Sequence, residues 1–299
     1  MRSSYSALLV LACGAGCGSS SGGGTALDGY PDAHIGSLAE LQKWSGASAA
    51  GLFAFSYQPY NLASTAFAAG SDAGSNLCPA ESGSSGAMTF TGGCTDDSGT
   101  TWTGTAAETN QGITYTHFGY TGSDGSSLVF QGVIEANDTD GPLGGGAFTM
   151  QISFTATGSA ASQEGSGLLA YSGSVGADAD DDNVTTWDGQ GEFGFASAGK
   201  ITTTTNTEVF DHTACLYTAL GGTTTITAGG DTAVITYEGS DDCGSDAPAQ
   251  WTLNGSAMGE IDNVACSATG RANALGALAP AGMIAFGLSL VRRRRARRA

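Results

Sequence analysis

Histidines are the first side chains to consider for catalysis, and this chain of 299 residues has three, His34, His117 and His212. None has a second histidine four residues away, which excludes the H-E-x-x-H arrangement of zinc-dependent proteases. His117 shares an alternating run with Ile113 and Tyr115, which predicts a histidine packed on the apolar face of a strand. The histidines therefore indicate no metalloprotease.

The 28 aspartates and glutamates supply many carboxylates but no distinct catalytic pair. A glycosidase needs two carboxylates that face each other across a cleft, and among so many acids every pairing is equally plausible. Asp211 and the adjacent His212 would lie on opposite sides of an extended segment, so they do not form a ready catalytic dyad. We therefore expect no catalytic residues and no enzymatic activity.

One acidic stretch has the spacing of a calcium-binding loop. Asp178, Asp180 and Asp182 stand at positions one, three and five of an EF-type loop, where oxygen ligands are needed. Asn183 stands where that loop requires glycine, and Gly189 stands where it requires a bidentate glutamate, so a true EF-hand is excluded. A looser calcium site between strands is one hypothesis, and a solvated acidic turn is the alternative. No other cofactor is expected.

The elements that would position these residues are strands, because apolar and polar residues alternate through residues 28–262. Short clusters of Gly, Asp, Ser and Asn separate the runs at spacings too short for crossover helices, which predicts an antiparallel meander. Roughly ten to thirteen strands are too many for one open sheet, so we expect an all-β domain that forms a barrel or a sandwich. The clearest run alternates Phe148, Met150, Ile152 and Phe154 with Thr149, Gln151, Ser153 and Thr155.

One short helix is predicted at the start of this domain. Ser37 and Glu40 have the spacing of a capping box, and Leu38, Leu41 and Trp44 follow on one side of a helix.

Three tryptophans, Trp102, Trp187 and Trp251, each come shortly before a glycine in a predicted strand. We interpret them as core residues, with glycines where the strands bend. An exposed platform for glycans is the alternative.

Four cysteines lie inside the predicted domain, an even number that suits disulfides in an exported protein. Pairing of neighbours, Cys78 with Cys94 and Cys215 with Cys243, is preferred among the three possible connectivities. The absence of a C-x-x-C pair disfavours a zinc site.

The charge of the chain is strongly divided by region. Between Cys13 and Cys266 the only basic residues are Lys43 and Lys200, whereas all 28 acidic residues lie there. A field of that sign repels phosphate backbones, so nucleic acid is excluded as a partner.

The amino-terminal residues have the features of an export signal. Residues 1–12 contain one arginine and a short apolar run, which predicts a signal peptide. Val10-Leu11-Ala12-Cys13 resembles the lipobox of bacterial lipoproteins, which implies a lipid-modified Cys13 and membrane lipid as a partner. Residues 13–27 are rich in Gly and Ser and predict a flexible tether. The alternative is an ordinary cleaved signal that leaves Cys13 unmodified.

The carboxyl-terminal residues 263–299 combine Cys266, an uncharged stretch and an arginine-rich end. Residues 272–291 are long enough to form a transmembrane helix, and the arginines would keep the end of the chain in the cytoplasm. The order of these parts resembles the MYXO-CTERM sorting signal, which implies cleavage near Cys266 and transfer to the cell surface. Residues 78–106 are similar to Gly/Thr-rich exported lipoproteins of myxobacteria. A permanent inner-membrane anchor is the alternative to cleavage.

These features together predict an exported protein at the outer membrane or cell surface, or else an inner-membrane-anchored periplasmic one. We expect an acidic β-domain with a structural, adhesive or binding role, and envelope or extracellular glycans as its partners. The alternatives are an extracellular hydrolase that acts on glycans and a calcium-stabilised carbohydrate-binding module.

Overall fold

A computed structural model describes residues 27–73, 77–84, 86–136, 145–158, 165–178, 184–211, 219–238 and 249–261. These residues form two helices and fourteen strands. The helices are α1 (Leu38–Leu41) and α2 (Ala49–Ala73). The strands are β1 (Ala80–Ser84), β2 (Ala87–Thr91), β3 (Cys94–Thr95), β4 (Thr101–Thr109), β5 (Gly112–Thr121), β6 (Ser127–Ala136), β7 (Gly146–Thr157), β8 (Gly165–Ala177), β9 (Val184–Phe195), β10 (Gly199–Asp211), β11 (Gly221–Ala228), β12 (Asp231–Tyr237), β13 (Ala249–Leu253) and β14 (Ser256–Ile261).

The strands form one antiparallel sheet in nearly sequential order. Each strand from β4 to β14 pairs with its neighbour along the chain, β2 pairs with β4, and β3 adds a short pairing to β4. β1 and β14 are the two edges of the sheet. The predicted antiparallel meander is therefore confirmed, and the fourteen strands belong to one sheet rather than to the two sheets of a sandwich.

A long helix takes the place that a second sheet would have in a sandwich. Helix α2 contacts β2, β5, β6, β7, β9 and β10, so the sheet curls round it. The alternating pattern predicts strands here, and that prediction is wrong for residues 49–73. No residue from 44 to 63 is exposed. A helix covered on several sides is apolar on several sides, so it lacks the one-sided stripe by which sequence periodicity detects a helix. Pro59 inside the helix weakens the signal further.

Aromatic side chains fill the space between α2 and the sheet. Phe53 packs against Phe148 and Trp187, with ring centroids 5.5 and 5.2 Å apart. Phe55 packs against Phe130 and Phe154 at 5.2 and 5.1 Å. Such pairs contribute about 0.5–1.5 kcal/mol each beyond the apolar area that they bury.

All four tryptophans belong to this core. Trp44, Trp102, Trp187 and Trp251 are each at most 3% exposed. The interpretation of the three strand tryptophans as core residues is confirmed, and none of them forms an exposed glycan platform.

The predicted capping box at the start of α1 is present. Ser37 Oγ accepts a hydrogen bond from the Glu40 backbone N–H at 3.3 Å. Glu40 Oε2 in turn accepts one from the Gly36 backbone N–H at 2.8 Å. The short helix then leads to Trp44, whose ring packs against Phe193 at 5.9 Å.

A β-bulge overturns the prediction for His117. The register of β5 shifts between Tyr115 and Phe118, and His117 has a φ of 47°. One extra residue in a strand interrupts the alternation of its faces. His117 is therefore exposed instead of packed beside Ile113 and Tyr115.

The disulfide between Cys78 and Cys94 is formed as predicted, with Cα atoms 5.9 Å apart. Cys215 and Cys243 lie outside the described residues, and so do Cys13 and Cys266. The predicted transmembrane segment 272–291 also lies outside them. Within the described ranges, neither helix has the length and apolar character needed to span a membrane.

Candidate functional site

The first turn of α2 is held by side chains, two of which come from a distant strand. The first backbone N–H groups of a helix have no partner within the helix, and when they are buried they need acceptors from elsewhere. Strand β10 supplies two acceptors and the residue before the helix supplies the third. The bonds are Ala49 N–H to Thr205 Oγ1 (2.9 Å), Ala50 N–H to Glu208 Oε2 (3.2 Å) and Gly51 N–H to Ser48 Oγ (3.2 Å).

A bulge in β10 makes this arrangement possible. Thr205 is buried, Asn206 and Thr207 are exposed, and Glu208 is buried again. The register shifts at this point against both β9 and β11, and Thr207 has a φ of 51°. The Thr207 N–H donates to Asp188 Oδ1 at 2.8 Å, which holds the bulge. Because strict alternation would place Glu208 on the outer face, the bulge is what brings it to α2.

Glu208 is a buried carboxyl with an altered acidity. Its side chain is 1% exposed, and burial raises its pKa to about 7. Hydrogen bonds from the Ser48 hydroxyl, the Ala50 N–H and the Tyr237 hydroxyl favour the charged form and oppose part of this rise in pKa. The carboxyl therefore gains or loses its proton near neutral pH.

Two buried tyrosines border this carboxyl. The Tyr237 hydroxyl, which has a single proton to donate, also lies 3.0 Å from Thr224 Oγ1. Burial raises the pKa of Tyr237 well above the usual value. Burial also raises the pKa of Tyr171, with a smaller contribution from the charge of Glu208. Both phenols stay neutral through the range in which Glu208 titrates.

This geometry suits a structural anchor better than a general base. A pKa near neutrality is typical of catalytic acids and bases, but such a group must also reach the proton that it transfers. Glu208 contacts α2 and β12 and is closed off from solvent, so it does not reach a substrate.

The side chains that hold the start of α2 form one group, which we call the helix anchor: Ser48, Thr203, Thr205, Glu208 and Tyr237. Thr203 belongs to it because its hydroxyl donates to the Ala47 carbonyl oxygen at 2.5 Å.

A second candidate site is a threonine-rich surface on the outer side of three neighbouring strands. Alternate positions of β10, β11 and β12 point away from the core, and seven of them carry threonines with partly or fully exposed side chains. These threonines lie side by side, with Thr225 beside Thr204 and Thr227 beside both Thr202 and Thr232. The threonine face consists of Thr202, Thr204, Thr223, Thr225, Thr227, Thr232 and Thr236.

The threonine face presents hydroxyl and methyl groups in a regular array. Strands lie about 4.8 Å apart, and outward residues repeat about every 7 Å along a strand. Val234 lies among the seven threonines, beside Thr225, and these eight side chains are uncharged. Lys200 of β10 and Glu192 of β9, which pairs with Thr202, flank them at one edge. On a domain with 28 acidic residues this is a distinct surface.

The calcium hypothesis rests on residues that the structure describes only in part. Asp178 is exposed, and its N–H donates to the Val184 carbonyl at 3.0 Å. Asp180 and Asp182 lie outside the described residues. Within the described ranges, no group of three His, Cys, Asp or Glu side chains could hold a metal ion.

The histidines are not brought together with the helix anchor. His34 Nδ1 lies 3.0 Å from Asp231 Oδ2, and the His34 side chain is 71% exposed. His117 is exposed on the opposite part of the sheet, and His212 lies outside the described residues.

The helix anchor was missed because its members are common residue types that are far apart in sequence. A signal did exist in the run from Ile201 to Phe210. Ile201, Thr203 and Thr205 are odd-numbered buried positions, whereas Glu208 and Phe210 are even-numbered ones, and that change of phase marks the bulge.

Comparison of this chain with protein-family models, with curated proteins and with solved structures gives no match.

Proposed function

We propose that this protein is an exported, non-enzymatic β-domain of the cell envelope, with a structural or adhesive role, that binds neutral glycans through its threonine face. The observation that carries the proposal is the threonine face itself, an uncharged and hydroxyl-rich surface on a strongly acidic domain. The surrounding charge disfavours anionic polymers, whereas a neutral polysaccharide offers hydroxyl groups and avoids that repulsion.

The packed interior supports a binding role rather than catalysis. Helix α2 and the aromatic side chains around it occupy the concave side of the sheet. The buried carboxyl of Glu208 is engaged by the first turn of α2. The outer face of the sheet is therefore the surface on which a large partner would bind.

The two ends of the chain support export and display. The lipobox-like residues before Cys13 and the MYXO-CTERM-like residues after Cys266 fit a protein that is lipid-modified and then sorted to the surface. In this proposal residues 272–291 span the inner membrane only until cleavage. The intact mass of the protein from its host envelope tests this: a full-length carboxyl terminus would contradict sorting and favour a permanent inner-membrane anchor.

Binding is tested by retention of the folded domain on neutral polysaccharide from the host envelope. The variant Thr204→Glu/Thr225→Glu/Thr236→Glu places three charges on the threonine face, and we expect it to lose retention by at least tenfold. The matched control Thr114→Glu/Thr121→Glu/Thr155→Glu adds the same charge at exposed positions of β5 and β7. Equal loss in both variants would contradict a specific face, and release of shortened glycan by the wild-type domain would favour the hydrolase alternative.

A further inference from the structure

The contacts of the helix anchor make the first turn of α2 dependent on β10. Two of the first three N–H groups of the helix bond to Thr205 and Glu208, 156 and 158 residues away. Thr203 holds the Ala47 carbonyl just before the helix. In the described part of the chain, hydrogen bonds from one strand therefore fix the entry to α2.

Glu208 is the member of the anchor that changes charge in the physiological range. The groups that face it are the Ser48 hydroxyl before α2, the Ala50 N–H of α2, the Tyr237 hydroxyl of β12 and, at longer range, Tyr171 of β8. Asp188 of β9 holds the Thr207 N–H of the same bulge, and its carboxyl has the same sign as that of Glu208. Within the described ranges, no lysine, arginine or histidine contributes to the electrostatics of Glu208.

The neutral and the ionised forms of the Glu208 carboxyl differ in how well the buried groups around them satisfy them. The neutral acid still accepts the Ala50 N–H and can donate its own proton to a neighbouring hydroxyl. The carboxylate has only N–H and hydroxyl dipoles around it, and an ionised group buried without a cationic partner is costly. Separation of the first turn of α2 from β10 would admit water and relieve that cost.

We propose that Glu208 is a proton-operated clamp on α2, which holds the first turn of the helix against β10 when it is protonated and loosens that turn when it is ionised. This inference goes beyond the proposed function and does not depend on it. The clamp closes in acid and loosens toward neutral and alkaline conditions.

The direction follows from linkage between proton binding and folding. The pKa of Glu208 is about 7 in the folded chain and near 4.5 for an unperturbed glutamate. The folded state thus holds a proton that the unfolded state has lost between these two values. The stabilisation is complete below pH 4.5 and is lost as the pH rises through 7.

Hydrogen exchange of peptides that cover residues 44–56, measured by mass spectrometry at pH 5 and pH 8 and corrected for intrinsic rates, tests the clamp. We expect protection in the wild-type chain to fall by at least tenfold between the two conditions. Glu208→Gln removes the titrating group and keeps a hydrogen-bonding side chain. In this variant the protection of residues 44–56 should therefore differ by less than twofold between pH 5 and pH 8. Wild-type protection that does not change with pH would overturn the proposal.

Two controls separate Glu208 from other groups. Glu108→Gln removes the carboxyl that accepts a hydrogen bond from Tyr60 of α2 and should keep the full pH dependence. His212→Gln removes a histidine four residues from Glu208, and loss of the pH dependence in that variant would assign the effect to His212 and overturn the proposal.

A measurement on the unaltered chain covers the case in which Glu208→Gln does not fold. The amide ¹⁵N shift of Ala50 should titrate with a midpoint near 7, because its N–H bonds directly to the carboxyl. A shift that stays constant between pH 5 and pH 9 would also contradict the clamp. Thr205→Val removes the neighbouring bond without a titrating group, so the Ala50 titration should persist in it.

Discussion

The Tyr60 hydroxyl donates a hydrogen bond to Glu108 Oε2 at 2.7 Å and so joins α2 to β4 across 48 residues of sequence. A second bond lies nearby, from the Tyr115 hydroxyl to the Ser56 carbonyl oxygen at 2.8 Å. Together with the contacts of Glu208 they hold α2 to opposite halves of the sheet, at its first turn and near its middle. The long helix is thus fixed by specific polar bonds as well as by aromatic packing.

Tyr60→Phe should lower the free energy of unfolding by about 1–2 kcal/mol, because it removes a partly buried hydrogen bond to a carboxyl group. Urea unfolding at pH 7 would measure the difference. Tyr30→Phe removes a hydroxyl outside α2 and should change stability by less than about 0.5 kcal/mol. Equal stability of Tyr60→Phe and the wild type would show that this bond does not hold the helix.

Gly104→Ala should destabilise the domain by about 2–4 kcal/mol through strain and overlap. Gly104 has a φ of 65°, and a Cβ there would overlap the carbonyl oxygens of Thr116 and His117. Gly104 lies opposite the bulge in β5, between the pairs Thr103–Gly119 and Thr105–Thr116. Thermal unfolding is a suitable measurement. Gly230→Ala is the matched control, since a Cβ at Gly230 meets nothing within 4 Å, and a similar loss in both variants would contradict the explanation by local strain.

Asp96 should stabilise the β3–β4 hairpin at neutral pH and lose that effect in acid. Burial alone would raise its pKa, but hydrogen bonds from Ser98, Trp102 and Thr100 outweigh burial and lower it below 3.8. A depressed pKa means that the stabilisation is present above the unfolded value and is lost as the pH falls through the folded one.

Asp96→Asn tests this prediction and should lower the free energy of unfolding by about 1–2 kcal/mol at pH 7. The difference from the wild type should narrow in urea unfolding below pH 4. Asp97→Asn alters the exposed neighbouring acid and serves as the control. If the variant and the wild type differ in free energy of unfolding by the same amount at pH 7 and pH 3, the charge of Asp96 has no role.

Replacement of both Cys78 and Cys94 by serine should lower the free energy of unfolding by about 3 kcal/mol, because the disulfide closes a loop of 16 residues.

Peptide mapping without reduction should find the Cys78–Cys94 bond and, as the sequence predicts, Cys215 joined to Cys243. A peptide joining Cys215 to Cys78 or Cys94 would contradict both pairings.

The sequence alone was sufficient for the features that depend on neighbouring residues. Alternation of apolar and polar side chains predicted the meander, and the spacing of Ser37 and Glu40 predicted the capping box of α1. The pairing of Cys78 with Cys94 followed from nearness along the chain. Each of these signals is local, because a strand face, a helix cap and a short loop are set by residues that are close in sequence.

Only the tertiary structure decided the role of α2 and of Glu208. A helix enclosed by a curled sheet loses the one-sided pattern that identifies a surface helix, so residues 49–73 resembled further strands. Two bulges reverse the side of the sheet on which the following side chains lie. The bulge in β5 exposes His117, and the bulge in β10 buries Glu208. The partner of Glu208 is 158 residues away. Contacts at that distance form only when the whole sheet closes round the helix, so the sequence carries no local signal for the partner of Glu208.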